Sequence, residues 1–260
     1  MNRIKRIYRN ALYSFKGLYG FLEPKTYILV KIINPVFQVL CFSMIARHSY
    51  GNVDISPYVV GNAFLLCTIN AFFGVGSVLI QERQLGTLKL IVASPSSKFT
   101  AFTSKSVFYI LDGIITVIIG LVTGVVCFGV RIDAQCIPAF IICLAAAVFS
   151  TCAMGLLIGS IGLITRDINL LLNVSSMILM CLSGVDFPIE KLPAMLKLFS
   201  GIFPLTNVLK ASKILMAGNI NVMPYILREI SIGVIYAIVA FILFKVMEKL
   251  SIKKALIDLY

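Results

Sequence analysis

The sequence predicts an all-α polytopic membrane protein, and three observations predict it. Of the 260 residues, 59% are hydrophobic and only 13% charged, with a mean hydropathy of +0.98. A soluble domain is about half apolar and about a quarter charged, so this much apolar surface calls for lipid as its solvent. The apolar residues also gather into six runs, most of them near the roughly 20 residues a helix needs to cross a bilayer. Finally, the basic residues behind the net charge of +12 sit mostly in the segments flanking those runs. Anionic lipid and the positive-inside bias account for them there, and nucleic acid is not expected as a partner.

The first element is a stretch that does not span. In "RIKRIYRNALYSFKGLYGFL", Ile4, Tyr8, Ala11, Phe15, Leu18 and Leu22 lie near one line at helical spacing, with Lys5, Arg9 and Lys16 beside it. Residues 1–26 therefore read as a basic amphipathic helix lying on a membrane surface, ended by "EPK" at 23–25. Its charge is spread along a polar stripe, which is not the pattern of a cleavable signal peptide. Six spans follow over residues 27–46, 58–80, 102–130, 137–164, 169–183 and 226–244, the fifth being short.

Lys and Arg in the connections set the orientation. With the N-terminus inside, fifteen face the cytoplasm and six the other side, so both termini are expected in the cytoplasm. The connection between the last two spans holds four of those six. It is cut by Pro188, Pro193 and Pro204, and "EKLPAMLKLF" and "PLTNVLKASKILM" each read as a short amphipathic helix. Such pieces can dip into the outer leaflet as a re-entrant segment, about 184–215, if they pack on protein. Lys191, Lys197, Lys210 and Lys213 would then snorkel to the outer headgroups. Gly120–Gly124 and Gly155–Gly159 are GxxxG spacings that let helices approach closely. The seven cysteines form no CxxC pair and the chain has one histidine, so no zinc or haem motif is expected.

"ERQLGTLKLIVASPSSK", residues 82–98, is the longest polar interior stretch and falls on the cytoplasmic side. Leu85, Leu88, Ile91 and Val92 form an apolar face about two turns long, and Pro95 stops the helix. A helix this short is unstable alone in water. It needs a surface, either a groove on a partner protein or the inner leaflet and its own bundle.

Here the chain resembles the permease subunits of ABC-2 type exporters. The loop after their second span reads E-R-x-x-G-T-L, ending in S-P; in this sequence those positions are Glu82, Arg83, Leu85, Gly86, Thr87, Leu88, Ser94 and Pro95. A second signature, SG-x-x-FP-I-x-x-LP then PLT, stands as Ser183-Gly184, Phe187-Pro188-Ile189, Leu192-Pro193 and Pro204-Leu205-Thr206. The resemblance covers essentially the whole chain. It implies that 82–95 is a coupling helix seated on a separate ATPase subunit, two copies per complex, in the cytoplasmic (inner) membrane. A second permease copy, as homodimer or related heterodimer, completes the transporter. Phe187, Pro188, Pro193 and Pro204 would border the outer exit. The sequence contains no G-x-x-x-x-G-K-[ST] phosphate loop, so no cofactor is expected on this chain, and ATP and Mg belong to the partner. On this reading the chain is not an enzyme. It exports an amphiphile, whether a drug-like molecule, a hydrophobic peptide or a lipid-linked glycan.

Asp112 lies about ten residues into the third span, where a carboxylate normally faces a cavity or a partner. It could line the pathway, or pair with Lys105 or with Lys31 on the first span. The alternative function is a proton-coupled secondary carrier using Asp112. That would predict inverted repeats and several intramembrane acids, neither of which is evident. A membrane enzyme would need converging His, Asp, Glu or activated Ser or Cys, which Asp112 alone does not supply. Phe72, Phe73 and Tyr58 read as packing or membrane anchors, and His48 as a solvated loop residue.

Overall fold

The computed structural model describes residues 24–50, 54–84, 86, 98–162, 165, 167–185, 189 and 192–253. The first 23 residues of the expected interfacial helix therefore lie outside the described residues, as do Leu85 and 87–97. Pro24 opens the first helix, a position that suits proline because its missing N–H would have no partner there.

The described residues form eight α-helices and no strand. In chain order they are α1 (Pro24–Tyr50), α2 (Ser56–Gln84), α3 (Lys98–Phe128), α4 (Ile137–Ile161), α5 (Ile168–Ser183), α6 (Ala194–Ser200), α7 (Thr206–Met216) and α8 (Met223–Lys253). Each of the six expected runs is largely helical; the bounds differ from the sequence reading by four residues or fewer, except that the last helix continues nine residues further, to Lys253. Four helices among the described residues are long and apolar enough to cross a membrane: α2, α3, α4 with the turn before it, and α8. α5 is apolar but only 16 residues long. α1, with Lys31, Asn34, Pro35 and Gln38 in its middle, stands outside the four. The two short helices expected between the last spans are present as α6 and α7, although α6 starts only at Ala194.

α2 is the central helix. Its apolar stretch is 71% buried, against 17% for α8. Glycine explains how so many neighbours reach it, because van der Waals packing is what holds helices together where lipid is the solvent. On α3, Gly120 lies over Ala63 and Gly124 over Val59. On α4, a Cβ at Gly155 would stand 2.8 Å from the Phe72 carbonyl oxygen, and one at Gly159 would stand 3.1 Å from that of Gly76. Both GxxxG spacings thus face α2, one from each side. Gly233 of α8 fits against Phe149 and Ser150 of α4 in the same manner. The hydroxyls of Thr68, Thr123, Thr151 and Ser160 donate to carbonyls three or four residues earlier, which meets these four donors within their own helices.

Candidate functional site

Three places bring candidate residues together. The first is the Gln84 end of α2. The helix runs on through Glu82 and Arg83 to Gln84, so the start of the ERQLGTL stretch is the last turn of α2. Glu82 is buried, at 6% exposure, and Gln84 is exposed. Gly86 follows with φ 69°, the left-handed conformation that commonly ends a helix and that glycine adopts without a Cβ penalty. Nearby, the Tyr109 hydroxyl of α3 donates to Gln81 Oε1 at 2.7 Å, and Gln81 Nε2 donates to Ser77 Oγ at 3.0 Å. This end of α2 is therefore braced on α3. Leu85, Thr87, Leu88, Ser94 and Pro95 lie outside the described residues, as does the side chain of Arg83.

The second place is the ion pair between Lys31 Nζ of α1 and Asp112 Oδ2 of α3, at 2.5 Å and largely shielded from solvent. Of the two partners weighed for Asp112, Lys31 is paired with it, and the side chain of Lys105 lies outside the described residues. Just beyond, the Thr116 hydroxyl donates to the Asp112 carbonyl at 3.0 Å and accepts from Asn70 Nδ2 of α2 at 3.1 Å. A cation and an anion in apolar surroundings meet here because each alone would be costly to desolvate.

The third place is the corner formed by α5, α7 and α8, where the second signature folds. Gly184 ends α5 with φ 81°, and the Lys213 ammonium of α7 donates to its carbonyl at 3.3 Å while lying 5.4 Å from the Tyr58 ring centroid. A cation at a helix C-terminus complements the negative end of the helix dipole. Lys213, expected to snorkel to headgroups, is half-buried and turned toward the end of α5. Lys197 and Lys210 are exposed as expected. At the other end of α7, Leu205 has φ 79°, the sole positive φ at a non-glycine among the described residues. Its N–H donates to Glu229 Oε1 of α8 at 2.6 Å. Glu229 is fully buried and also accepts from the Ser150 hydroxyl of α4 at 2.5 Å and from Asn207 Nδ2 at 3.4 Å. An anion at a helix N-terminus is the mirror of the Lys213 arrangement.

Sequence reasoning passed over Glu229. It lies just inside the last apolar run beside Arg228, where it reads as a flanking charge; the available signal was that a lone carboxylate in such a run needs partners. Pro204 is buried beside Leu205, and Pro193 is exposed at the start of α6. Phe187 and Pro188 lie outside the described residues.

Apolar helices long enough to span, packed on a central helix, define a multi-pass α-helical membrane protein. More narrowly, the chain belongs to the ABC-2 type transporter family, whose sequence model matches residues 16–217. It is similar to the inner membrane transport permease YhhJ of Escherichia coli (strain K12), with 28% identity over 205 residues, covering 75% of this chain and 54% of that protein. The Shigella flexneri protein of the same name matches to the same extent. This chain thus spans about half the length of these curated relatives.

Proposed function

We propose that this chain is the membrane-spanning permease subunit of an ATP-driven exporter in the cytoplasmic (inner) membrane. On this reading it crosses six times with both termini in the cytoplasm, α1 and α5 completing the set, and α6 and α7 forming the re-entrant segment at the outer face. A separate ATPase, present in two copies, binds ATP and Mg, and a second permease copy or a related chain completes the complex. The cargo is an amphiphile: a drug-like molecule, a hydrophobic peptide or a lipid-linked glycan.

The observation that carries this reading is the family match over 16–217, within which the ERQLGTL stretch continues directly from the central helix. Residues 82–95 are then the docking element, with Glu82 and Arg83 on the last turn of α2 and Leu85 and Leu88 supplying the apolar anchor. Closure of the ATPase pair on nucleotide would displace this segment, and the spans would respond as rigid bodies. The proton-carrier alternative finds no support. Asp112 is engaged by Lys31, and the family match is to ABC-2 transporters.

The test is purification of the tagged chain from its native membrane in mild detergent. Recovery of an ATPase bearing a phosphate loop, with hydrolysis in reconstituted vesicles, supports the proposal. Recovery of an active transporter that runs on a pH gradient without ATP overturns it, as does labelling of residues 82–98 from outside the cell.

A further inference from the structure

Because α3 and α4 each dock on α2 through glycine, they flank it rather than pack on each other. A cleft of about 970 Å³ opens between them, with Phe64 and Val75 of α2 as its floor. Its walls carry only hydrocarbon and the Cys152 sulfur, among them Ile114 and Leu121 of α3 and Leu144 and Phe149 of α4. Water inside would find no hydrogen-bond partners, so the space is unsuited to it. Ala237 of α8 borders it as well, so the cleft lies among all four candidate membrane spans, where hydrocarbon is the surrounding medium. At one end it reaches Ile132 and Ile137, in and just after the turn that joins α3 to α4. That turn exposes Arg131 and Asp133, and neither is in an ion pair among the described residues. A cation and an anion on either side of the cleft-lining Ile132 complement a headgroup that carries both charges.

We propose that the α3–α4 cleft binds an acyl chain of a zwitterionic phospholipid, with the headgroup phosphate at Arg131 and the headgroup ammonium at Asp133. The site is independent of what the transporter moves. It makes a membrane lipid a structural part of the α2–α3–α4 unit, filling the gap that glycine-mediated docking leaves.

The chain contains no tryptophan, so a single introduced one reports without background. Phe149→Trp places it in the cleft. Ile235→Trp places it on the side of α8 opposite Ala237, away from the cleft, two residues from Gly233, which itself touches Phe149, so the two sit at similar depth. Both replaced residues are exposed, at 43% and 61%. Each variant is reconstituted in phosphatidylglycerol vesicles containing a minor fraction of phosphatidylethanolamine brominated on its acyl chains, and in the reverse mixture. Brominated phosphatidylethanolamine is expected to quench Phe149→Trp roughly fivefold more effectively than Ile235→Trp, while brominated phosphatidylglycerol quenches both alike. Replacing Arg131 and Asp133 with alanine should abolish the difference. Equal quenching of both positions by both lipids would reduce the cleft to ordinary boundary lipid and overturn the proposal. So would shielding of Phe149→Trp from both lipids, the result expected if a second copy of the chain covers the cleft. A preference for phosphatidylglycerol, or a preference that survives loss of Arg131 and Asp133, would overturn the headgroup assignment.

Discussion

Glu229 of α8 accepts the backbone N–H of Leu205 at 2.6 Å, and Leu205 is the residue whose φ of 79° starts α7. A left-handed leucine is disfavoured by about 1–2 kcal/mol, so the surrounding contacts must hold it in place. Glu229→Ala leaves the Leu205 N–H and the Ser150 hydroxyl without that carboxylate and should lower stability by about 2–4 kcal/mol. Glu229→Gln keeps one acceptor but turns an amide N–H toward Asn207. Combining it with Asn207→Asp should recover much of the loss, because the donor and acceptor then exchange sides. Thermal unfolding of the four purified proteins in one detergent decides the matter; a double variant no better than the single one sinks it.

Lys31 and Asp112 stand in the same relation of mutual need. Replacing Asp112 alone strands the Lys31 ammonium and should cost about 3–5 kcal/mol. Replacing both, as Lys31→Met with Asp112→Leu, should be close to neutral. Folded yield and melting temperature follow the effect. If transport also survives the double replacement, the pair is structural; if transport is lost while the fold is intact, Asp112 belongs to the pathway.

Gly155 and Gly120 differ in what they would meet. A Cβ at Gly155 lies 2.8 Å from the Phe72 carbonyl oxygen, whereas one at Gly120 lies 3.1 Å from the Ala63 methyl. Gly155→Ala should therefore destabilise by about 1–3 kcal/mol and Gly120→Ala by less. Reversing that order in a denaturation series would show that α4 is not held against α2 as described.

Gly86 needs its left-handed φ to end α2. Gly86→Asn, which tolerates that conformation, should keep partner capture, whereas Gly86→Val should lose it. Leu88→Asp should release the ATPase by charging the apolar anchor. Co-purification from membranes reads all three; retention of the ATPase by Leu88→Asp would remove 82–95 as the docking element.

Helix positions were legible because bilayer thickness fixes the length of an apolar run. The Lys31–Asp112 pair was foreseeable for a similar reason, since isolated charges in such runs must find partners. Which helix lies in the middle was not legible, because α2, α3, α4 and α8 are comparably apolar and only the disposition of Gly120, Gly124, Gly155 and Gly159 around α2 settles it. The contact of Lys213 with Gly184 was not legible, because a helical stripe tells which face is polar but not that the end of another helix waits beside it. Glu229 was hidden by its neighbour Arg228, and its partners on α4 and α7 are 79 and 22–24 residues away in sequence.

From Ser56 to Gln84, α2 is one uninterrupted helix with about 43 Å of axial rise. Near its Ser56 end, Gly61 lies under Leu209 of α7 and Val185, while its other end leads straight into the polar stretch that begins at Glu82. A rod without a hinge does not absorb a tilt along its length, so any lever action at one mouth of the bundle arrives at the opposite mouth as a swing of comparable size.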